Sequence, residues 1–235
     1  MMRCFRAIGL ALSGLLLLAS LLQADEKTTG MVPAPEIVQA PDQMVSEATT
    51  QLLKVIEGAR AYYDTDPERY FSQIGTILDP MVDFDGMARL VMGKWGTSAY
   101  YNGMSSDAER QALKENADRF ANTFRSSLIE TYGKGVLAFS GERIEVLPVS
   151  PADVASGRVY VIQKIHGKSA DPLVIKYFMV RRSPDEGWRL LNVLIGDVNI
   201  GMLYRSQFAS AMQRYQDDMQ QVIESWMMNE SDVKG

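Results

Sequence analysis

Few side chains in this sequence could carry metal or covalent chemistry, and their spacing favours neither. The chain contains one histidine and one cysteine, His166 and Cys4. Zinc sites use several His and Cys ligands, and Cys–His catalysis needs the two side chains within hydrogen-bond reach. His166 lies on a predicted strand between Lys164 and Lys168, which is typical of a solvated strand residue. The sequence has no GxGxxG or GxxxxGK(S/T) motif, so it contains no nucleotide-binding signal.

Two acidic pairs could serve acid–base catalysis, but each has a simpler structural interpretation. Asp83 and Asp85 stand at a predicted helix N-terminus, a place that attracts acidic side chains. Asp217 and Asp218 fall on the solvated face of the last predicted helix. We therefore predict that the protein is not an enzyme and that it holds neither a metal nor a cofactor.

The sequence is rich in flexible apolar side chains and in doubly apolar segments. Twelve of the 14 methionines follow residue 24, and methionine fills irregular or changing apolar space. The segments 173–180 and 190–195 are apolar at nearly every position, whereas an antiparallel strand with one wet face should alternate. Two interpretations are equally favoured. Helices could cover both faces of the sheet, or one face could line a cavity for an apolar ligand.

The N-terminal part of the chain has the features of an export signal. Arg3 and Arg6 precede an uncharged, mostly apolar stretch, Ala7 to Leu22, which is shorter than the ~20 residues of a membrane span. We expect a signal peptide over residues 1–24, a flexible tether over 25–41 and one domain over 42–230. Cleavage after Ala24 would remove Cys4, so no disulfide could form within the mature chain.

The charge is distributed unevenly along the chain. The sequence has 24 basic and 29 acidic side chains, a net charge of −5, which disfavours general nucleic-acid binding. Residues 157–189 nevertheless hold seven Lys and Arg against three Asp and Glu. The excess could reflect the preference of strand edges and turns for basic residues, or it could form a local rim that faces an anion.

Capping residues and helical spacing predict four helices in the first half of the domain. Ser106 and Glu109, for example, have the spacing of a capping box, and Gly133 with Gly135 would end the helix that follows. The predicted helices begin at Asp42, Asp66, Asp83 and Ser106 and end near residues 59, 78, 93 and 132.

Beyond residue 135 the apolar period changes to two. Strands are predicted near 136–148, 158–167, 172–182 and 187–199, and their short connections favour an antiparallel meander. Apolar residues from Phe208 to Trp226 recur at steps of three and four, which predicts one last helix over about 201–229. The fold class is therefore α+β, with one curved antiparallel sheet of about four strands and helices packed on it.

Three segments carry a family resemblance that covers about residues 45–228. Asp83 to Trp95, DFDGMARLVMGKW, resembles a family segment DF…MA…VLG…W, and residues 119–135 resemble its F…F…LL…TY helix. Residues 187–208 resemble its GW+V.DV.IEG.S…YR.QF passage, although Asn192 stands where the family usually has aspartate and residues 196–197 replace its Glu-Gly pair. The chain thus resembles the MlaC family of periplasmic phospholipid-binding proteins, also called the toluene-tolerance auxiliary family.

The resemblance implies a monomeric periplasmic carrier that holds glycerophospholipid by its acyl chains. It would shuttle lipid between an outer-membrane lipoprotein complex and an inner-membrane ABC transporter with an MCE-domain protein. We predict an apolar cavity between sheet and helices, in a nuclear-transport-factor-like architecture. The residues predicted to line it are Met87, Leu90, Val91, Phe120, Phe124, Leu128 and Phe208 from the helices and Val161, Ile165, Ile175, Tyr177, Met179, Trp188, Leu190 and Leu194 from the sheet.

The choice of sheet face places Lys164, Lys176 and Arg189 on the opposite side. Arg181, Arg182 and Arg189 are predicted to form a rim for the lipid headgroup near the turn at residue 184. Two alternatives stay open. An enzyme of the nuclear-transport-factor-like class would need a polar residue inside the cavity. An Asn192 side chain that points inward beside an acidic residue would favour this alternative. A ligand-free adaptor would have a filled core.

Overall fold

The computed structural model describes residues 39–137, 143–167 and 171–231. The helices are α1 (Pro41–Ala59), α2 (Pro67–Leu78), α3 (Phe84–Met92), α4 (Ser98–Asn102), α5 (Asp107–Leu137), α6 (Pro151–Ala155), α7 (Ile200–Arg214) and α8 (Met219–Ser231). The strands are β1 (Arg143–Val146), β2 (Arg158–His166), β3 (Leu173–Val180), β4 (Arg189–Ile195) and β5 (Val198–Asn199). The predicted signal peptide, with Cys4, and the predicted tether up to residue 38 lie outside the described residues.

The strands form one open antiparallel sheet in the order β1-β2-β3-β4-β5. The predicted α+β class and the meander are confirmed, because each strand pairs with the next along the chain. The sheet has five strands rather than about four. The additional strand, β5, contributes two residues that pair with the end of β4 and lead directly into α7.

Most of the predicted helix starts are confirmed by side-chain caps. Asp66 accepts a hydrogen bond from the backbone N–H of Arg69, and Asp83 accepts one from that of Gly86. The predicted capping box is also present, since the Ser106 hydroxyl and the Glu109 carboxylate each accept from the other residue's backbone N–H. The predicted cap at Asp42 is wrong: α1 begins one residue earlier, and no side chain caps it.

The predicted end of the long helix at Gly133 and Gly135 is also wrong, because α5 continues to Leu137. A Cβ atom on Gly133 would lie 3.1 Å from Ile74 Cδ1 and 3.2 Å from Phe71 Cε1. The Tyr70 hydroxyl donates a hydrogen bond to the Gly133 carbonyl oxygen at 2.9 Å. Gly133 therefore lets α2 approach α5 closely and does not terminate the helix.

The last predicted helix is two helices, α7 and α8, separated by a break at residues 215–218. Gln216 and Asp217 have φ angles of 54° and 64°, in the left-handed region, and Asp218 then caps α8 by accepting from the backbone N–H of Gln221. Met212 before the break and Trp226 after it are both buried. The periodic apolar stripe is therefore real, but the chain turns in its middle so that α8 packs against α5.

The left-handed conformation at the break leads to a first prediction. Replacing Gln216 with glycine should raise the free energy of unfolding by about 0.5–1 kcal/mol, because glycine adopts this conformation without steric cost. The control is Gln213→Gly at an exposed position within α7, which should lower the same free energy by about 1 kcal/mol. Urea denaturation measures both. A loss of stability in both variants would contradict the break.

Candidate functional site

Strand pairing assigns each strand residue to one of two faces of the sheet. We call the face that carries Val161, Tyr177 and Val193 the inner face, since these three residues are cross-strand neighbours and pack into the main core. Lys164 and Lys176 alternate with inner residues and lie on the other side, which we call the outer face. The predicted face is confirmed for the following residues: Val161, Ile165, Ile175, Tyr177, Met179 and Leu190.

The predicted face of Leu194 is wrong because β4 contains a bulge. Met179 pairs with Leu190, but Phe178 pairs with Asn192, which leaves Leu191 without a partner on β3. An extra residue in one strand reverses the alternation beyond it. Leu194 consequently pairs with Lys176 and shares the outer face, while Val193 and Ile195 replace it on the inner side.

Most of the predicted lining residues meet in one buried cluster between the inner face and the helices. The residues of that set with buried side chains are Met87, Val91, Phe120, Phe124, Leu128, Val161, Met179, Trp188, Leu190 and Phe208. Tyr177 packs against the cluster at its edge. Leu90 is 45% exposed, and Ile165 and Ile175 are half-buried beyond the cluster. A role in lipid binding stays a prediction for all of these residues.

Aromatic side chains from α5, α7 and α8 pack together among the residues predicted to line the cavity. The Phe120 ring lies 4.8 Å from Phe208, 5.2 Å from Trp226 and 5.6 Å from Phe124, measured between ring centroids. All four rings are buried. These rings pack against one another in the core beside the inner face, and a lipid cavity between the sheet and the helices stays a prediction.

An open cleft of about 720 Å³ lies between α5, α7 and α8. This volume falls within the range of about 300–1,000 Å³ that is usual for ligand pockets. The cleft is lined by Ser127, Glu130, Thr131 and Lys134 of α5, Leu203, Tyr204, Ser206, Gln207, Ser210, Ala211 and Arg214 of α7, and Tyr215, Ser225 and Trp226.

The cleft has apolar side chains beside a charged edge. Trp226 joins it to the aromatic cluster, and Tyr204 contacts Phe124 with ring centroids 5.2 Å apart. Lys134 lines the cleft from α5, where it lies 3.7 Å from the carboxylate of Glu130, and Arg214 lines it from the last turn of α7. Such an arrangement suits a molecule that is apolar at one end and anionic at the other.

Two of the three arginines predicted to form a headgroup rim have other partners. Arg181 donates to the Val154 carbonyl oxygen and lies over the Trp188 ring. Arg189 donates to the carbonyl oxygens of Pro80 and Val82. Arg182 is exposed. Within the described part of the chain, none of the three lines the cleft, so a headgroup role for them stays a prediction.

A buried polar relay connects the sheet to α1. The Tyr177 hydroxyl donates to Gln163 Oε1 at 2.8 Å, Gln163 Nε2 donates to the Thr49 hydroxyl at 2.8 Å, and that hydroxyl donates to the Val45 carbonyl oxygen. Burial raises the pKa of the Tyr177 hydroxyl above its ordinary range. This relay was not predicted from the sequence, although a glutamine at an inner position of an apolar strand is a signal that could have indicated it.

The polar residues that could have indicated catalysis serve structural contacts. The Asn192 side chain accepts from the backbone N–H of Gly201 and donates to the Asn199 side chain, which itself caps α7. His166 contacts Arg143 and Glu145 on the neighbouring strand. Among the described residues, no group of His, Cys, Asp and Glu is placed to hold a metal ion. No helix in this part of the chain is long and apolar enough to cross a bilayer.

Comparison with known proteins then identifies the family. Residues 46–227 match the family model described as MlaC protein. This chain belongs to the MlaC family. It is 30% identical over 188 residues to the toluene tolerance protein Ttg2D of Pseudomonas putida, and the match covers 80% of each chain. The resemblance inferred from the three segments is confirmed.

The fold also matches a solved structure. A phospholipid-binding protein from Ralstonia solanacearum, solved in complex with a phospholipid, superposes with a TM-score of 0.66 at 17% identity. The match covers 84% of this chain and all of that one. At this identity the similarity shows a common fold: helices packed on an open antiparallel sheet.

The buried tyrosines lead to a second prediction. Burial raises the pKa of Tyr70 to about 12 and raises that of Tyr177 as well, while an unfolded tyrosine titrates near ~10. The stabilisation is therefore fully present below pH ~10 and is lost as the pH rises through the folded pKa values. Denaturation in urea between pH 8 and 11 should show this loss.

The phenylalanine variants Tyr70→Phe and Tyr177→Phe should each reduce the alkaline slope of the unfolding free energy. Tyr101→Phe is the matched control, because its side chain is 41% exposed, and it should leave the slope unchanged. An equal change in all three variants would contradict the assignment of the slope to buried hydroxyls.

Proposed function

We propose that this protein is a periplasmic carrier that holds a phospholipid by its acyl chains. The observation that carries the proposal is membership of the MlaC family over residues 46–227, together with a fold shared with a protein solved with bound phospholipid. The cleft, which has apolar side chains beside a charged edge, and the methionine-rich core next to it also support the proposal.

A carrier must offer an apolar environment comparable to that of the membrane. Burial of one lipid methylene contributes ~0.8 kcal/mol, so two chains of ~15 methylenes represent on the order of 24 kcal/mol of gross transfer free energy. In the proposed pathway the acyl chains enter through the cleft past Trp226 toward the aromatic cluster. Six methionines in that core favour repacking around a ligand, since methionine adapts its shape.

The proposed position of the headgroup is the charged edge of the cleft. Lys134 and Arg214 approach it from two different helices, so an anionic phosphate placed between them would keep its contact with water while the chains are buried. In this proposal the headgroup does not contact Arg181, Arg182 or Arg189.

The family also suggests the partners of the carrier. We propose that it works as a monomer and moves lipid between an outer-membrane lipoprotein complex and an inner-membrane ABC transporter with an MCE-domain protein. The chain itself would perform no catalysis, and the partner ATPase would supply the energy.

One observation favours a second candidate, a ligand-free adaptor. Phe120, Phe124, Phe208 and Trp226 pack closely together beside the inner face, as in the filled core that the adaptor hypothesis requires. The two candidates differ in whether the folded protein contains lipid after gentle purification.

The carrier proposal predicts that phospholipid co-purifies with the folded protein. Mass spectrometry of an organic extract should detect glycerophospholipid in stoichiometric amount, because a chain pair buried in the cleft and core would dissociate slowly. An extract without lipid, from protein that circular dichroism shows to be folded, would support the adaptor and contradict the carrier.

A variant that fills the cleft tests the location of the cargo. Ser210 lines the cleft and is exposed, so Ser210→Trp should occupy the space and remove most of the bound lipid with little effect on folding. The matched control is Gln213→Trp, on the same helix and outside the lining. Equal lipid content in both variants would place the cargo elsewhere.

A further inference from the structure

The strands separate charge completely between the two faces of the sheet. Within the described strands β1 to β4, every Lys, Arg, Asp and Glu lies on the outer face. The outer face carries five basic residues, Arg143, Arg158, Lys164, Lys176 and Arg189, against one acid, Glu145. The whole chain has a net charge of −5, so this face opposes the charge of the rest of the molecule.

The centre of the outer face is apolar and open to solvent. Tyr160 is 50% exposed, and its ring lies 5.0 Å from that of Phe178 on the next strand. Ile162, Val174 and Leu194 continue the apolar surface, and each is only half-buried. All the fully buried side chains of the described strands lie on the inner face, so the described helices cover the outer face less than the inner one. On the outer face, Asn192 of β4 bonds to the backbone N–H of Gly201 in α7.

The two lysines beside this apolar centre have free ammonium groups. Arg143 contacts Glu145 and His166, and Arg189 is held by backbone carbonyl oxygens. Lys164 and Lys176, in contrast, make no hydrogen bond or ion pair with any other described residue. Lysine stems lie along apolar surface while their ammonium groups extend into water, so both charges are available to an external anion.

We propose that the outer face docks the protein on an anionic lipid surface. Lysines around exposed aromatic and aliphatic side chains are the combination that peripheral proteins place at the boundary of an anionic bilayer. The acidic remainder of the chain would be repelled, so the charge asymmetry also selects this face over the others.

Docking by this face would leave the cleft free. The cleft is formed by α5, α7 and α8, which pack on the inner face, and so it lies on the opposite side of the sheet. A docked molecule could therefore be retained at a membrane while its cleft stays accessible to a partner. The inference concerns the strands alone, and it does not depend on whether the cleft carries lipid.

The test is flotation of the full-length mature protein with two kinds of vesicle, at low and at physiological salt. One kind is pure phosphatidylcholine, and the other contains phosphatidylglycerol as well. The wild-type protein should float only with the anionic vesicles, and salt should reduce the bound fraction. The double variant Lys164→Gln/Lys176→Gln should bind about 25-fold more weakly.

The control is Lys54→Gln/Lys114→Gln, which removes the same charge from two exposed helix positions, and it should bind like the wild type. Thermal unfolding verifies that all variants are folded. Equal binding to both vesicle types, or an equal loss in the control, would overturn the proposal. Two results together would also overturn the proposal in favour of a protein-docking face. The wild-type protein would fail to float, and it would capture an acidic protein partner that only the Lys164→Gln/Lys176→Gln variant fails to capture.

Discussion

The structure depends on one aromatic cluster that packs three helices together beside the inner face of the sheet. Phe120 and Phe124 come from α5, Phe208 from α7 and Trp226 from α8, and the four rings contact one another. Burial of such rings dominates core energetics. For Trp226 to reach the cluster, the chain must reverse between α7 and α8. The left-handed residues at the break are the consequence of that requirement.

The same arrangement creates the cleft. Because α8 turns onto α5, α8 leaves the outward side of α5 and α7 uncovered. The space between α5 and α7 is lined by short side chains such as Ser210 and Ala211. The apolar floor of this space is the outer edge of the aromatic cluster. A ligand that entered it would meet the flexible methionines behind those rings, so the packing that stabilises the protein is also the surface that a ligand would remodel.

The sheet imposes a second division, between an uncharged inner face and a basic outer face. Burying an unpaired charge beneath the helices is costly, so every strand charge is confined to the open side. The polar relay from Tyr177 through Gln163 to Thr49 shows how the inner face tolerates polar groups: each is hydrogen-bonded. The molecule therefore has a helical side with a cleft and a strand side with positive charge, and the two are chemically independent.

The sequence by itself determined the family, the α+β class and the local boundaries, such as the caps at Asp66 and Asp83 and the approximate extents of β2 and β3. These features depend on contacts between near neighbours and on apolar periodicity, and both are determined by residues that lie close together in the sequence. Only the tertiary structure decided the bulge that moves Leu194, the break at Gln216, the close approach at Gly133 and the position of the cleft. Each of these arises where packing between distant segments outweighs local preference, because the gain from burying a large side chain such as Trp226 exceeds the local conformational cost.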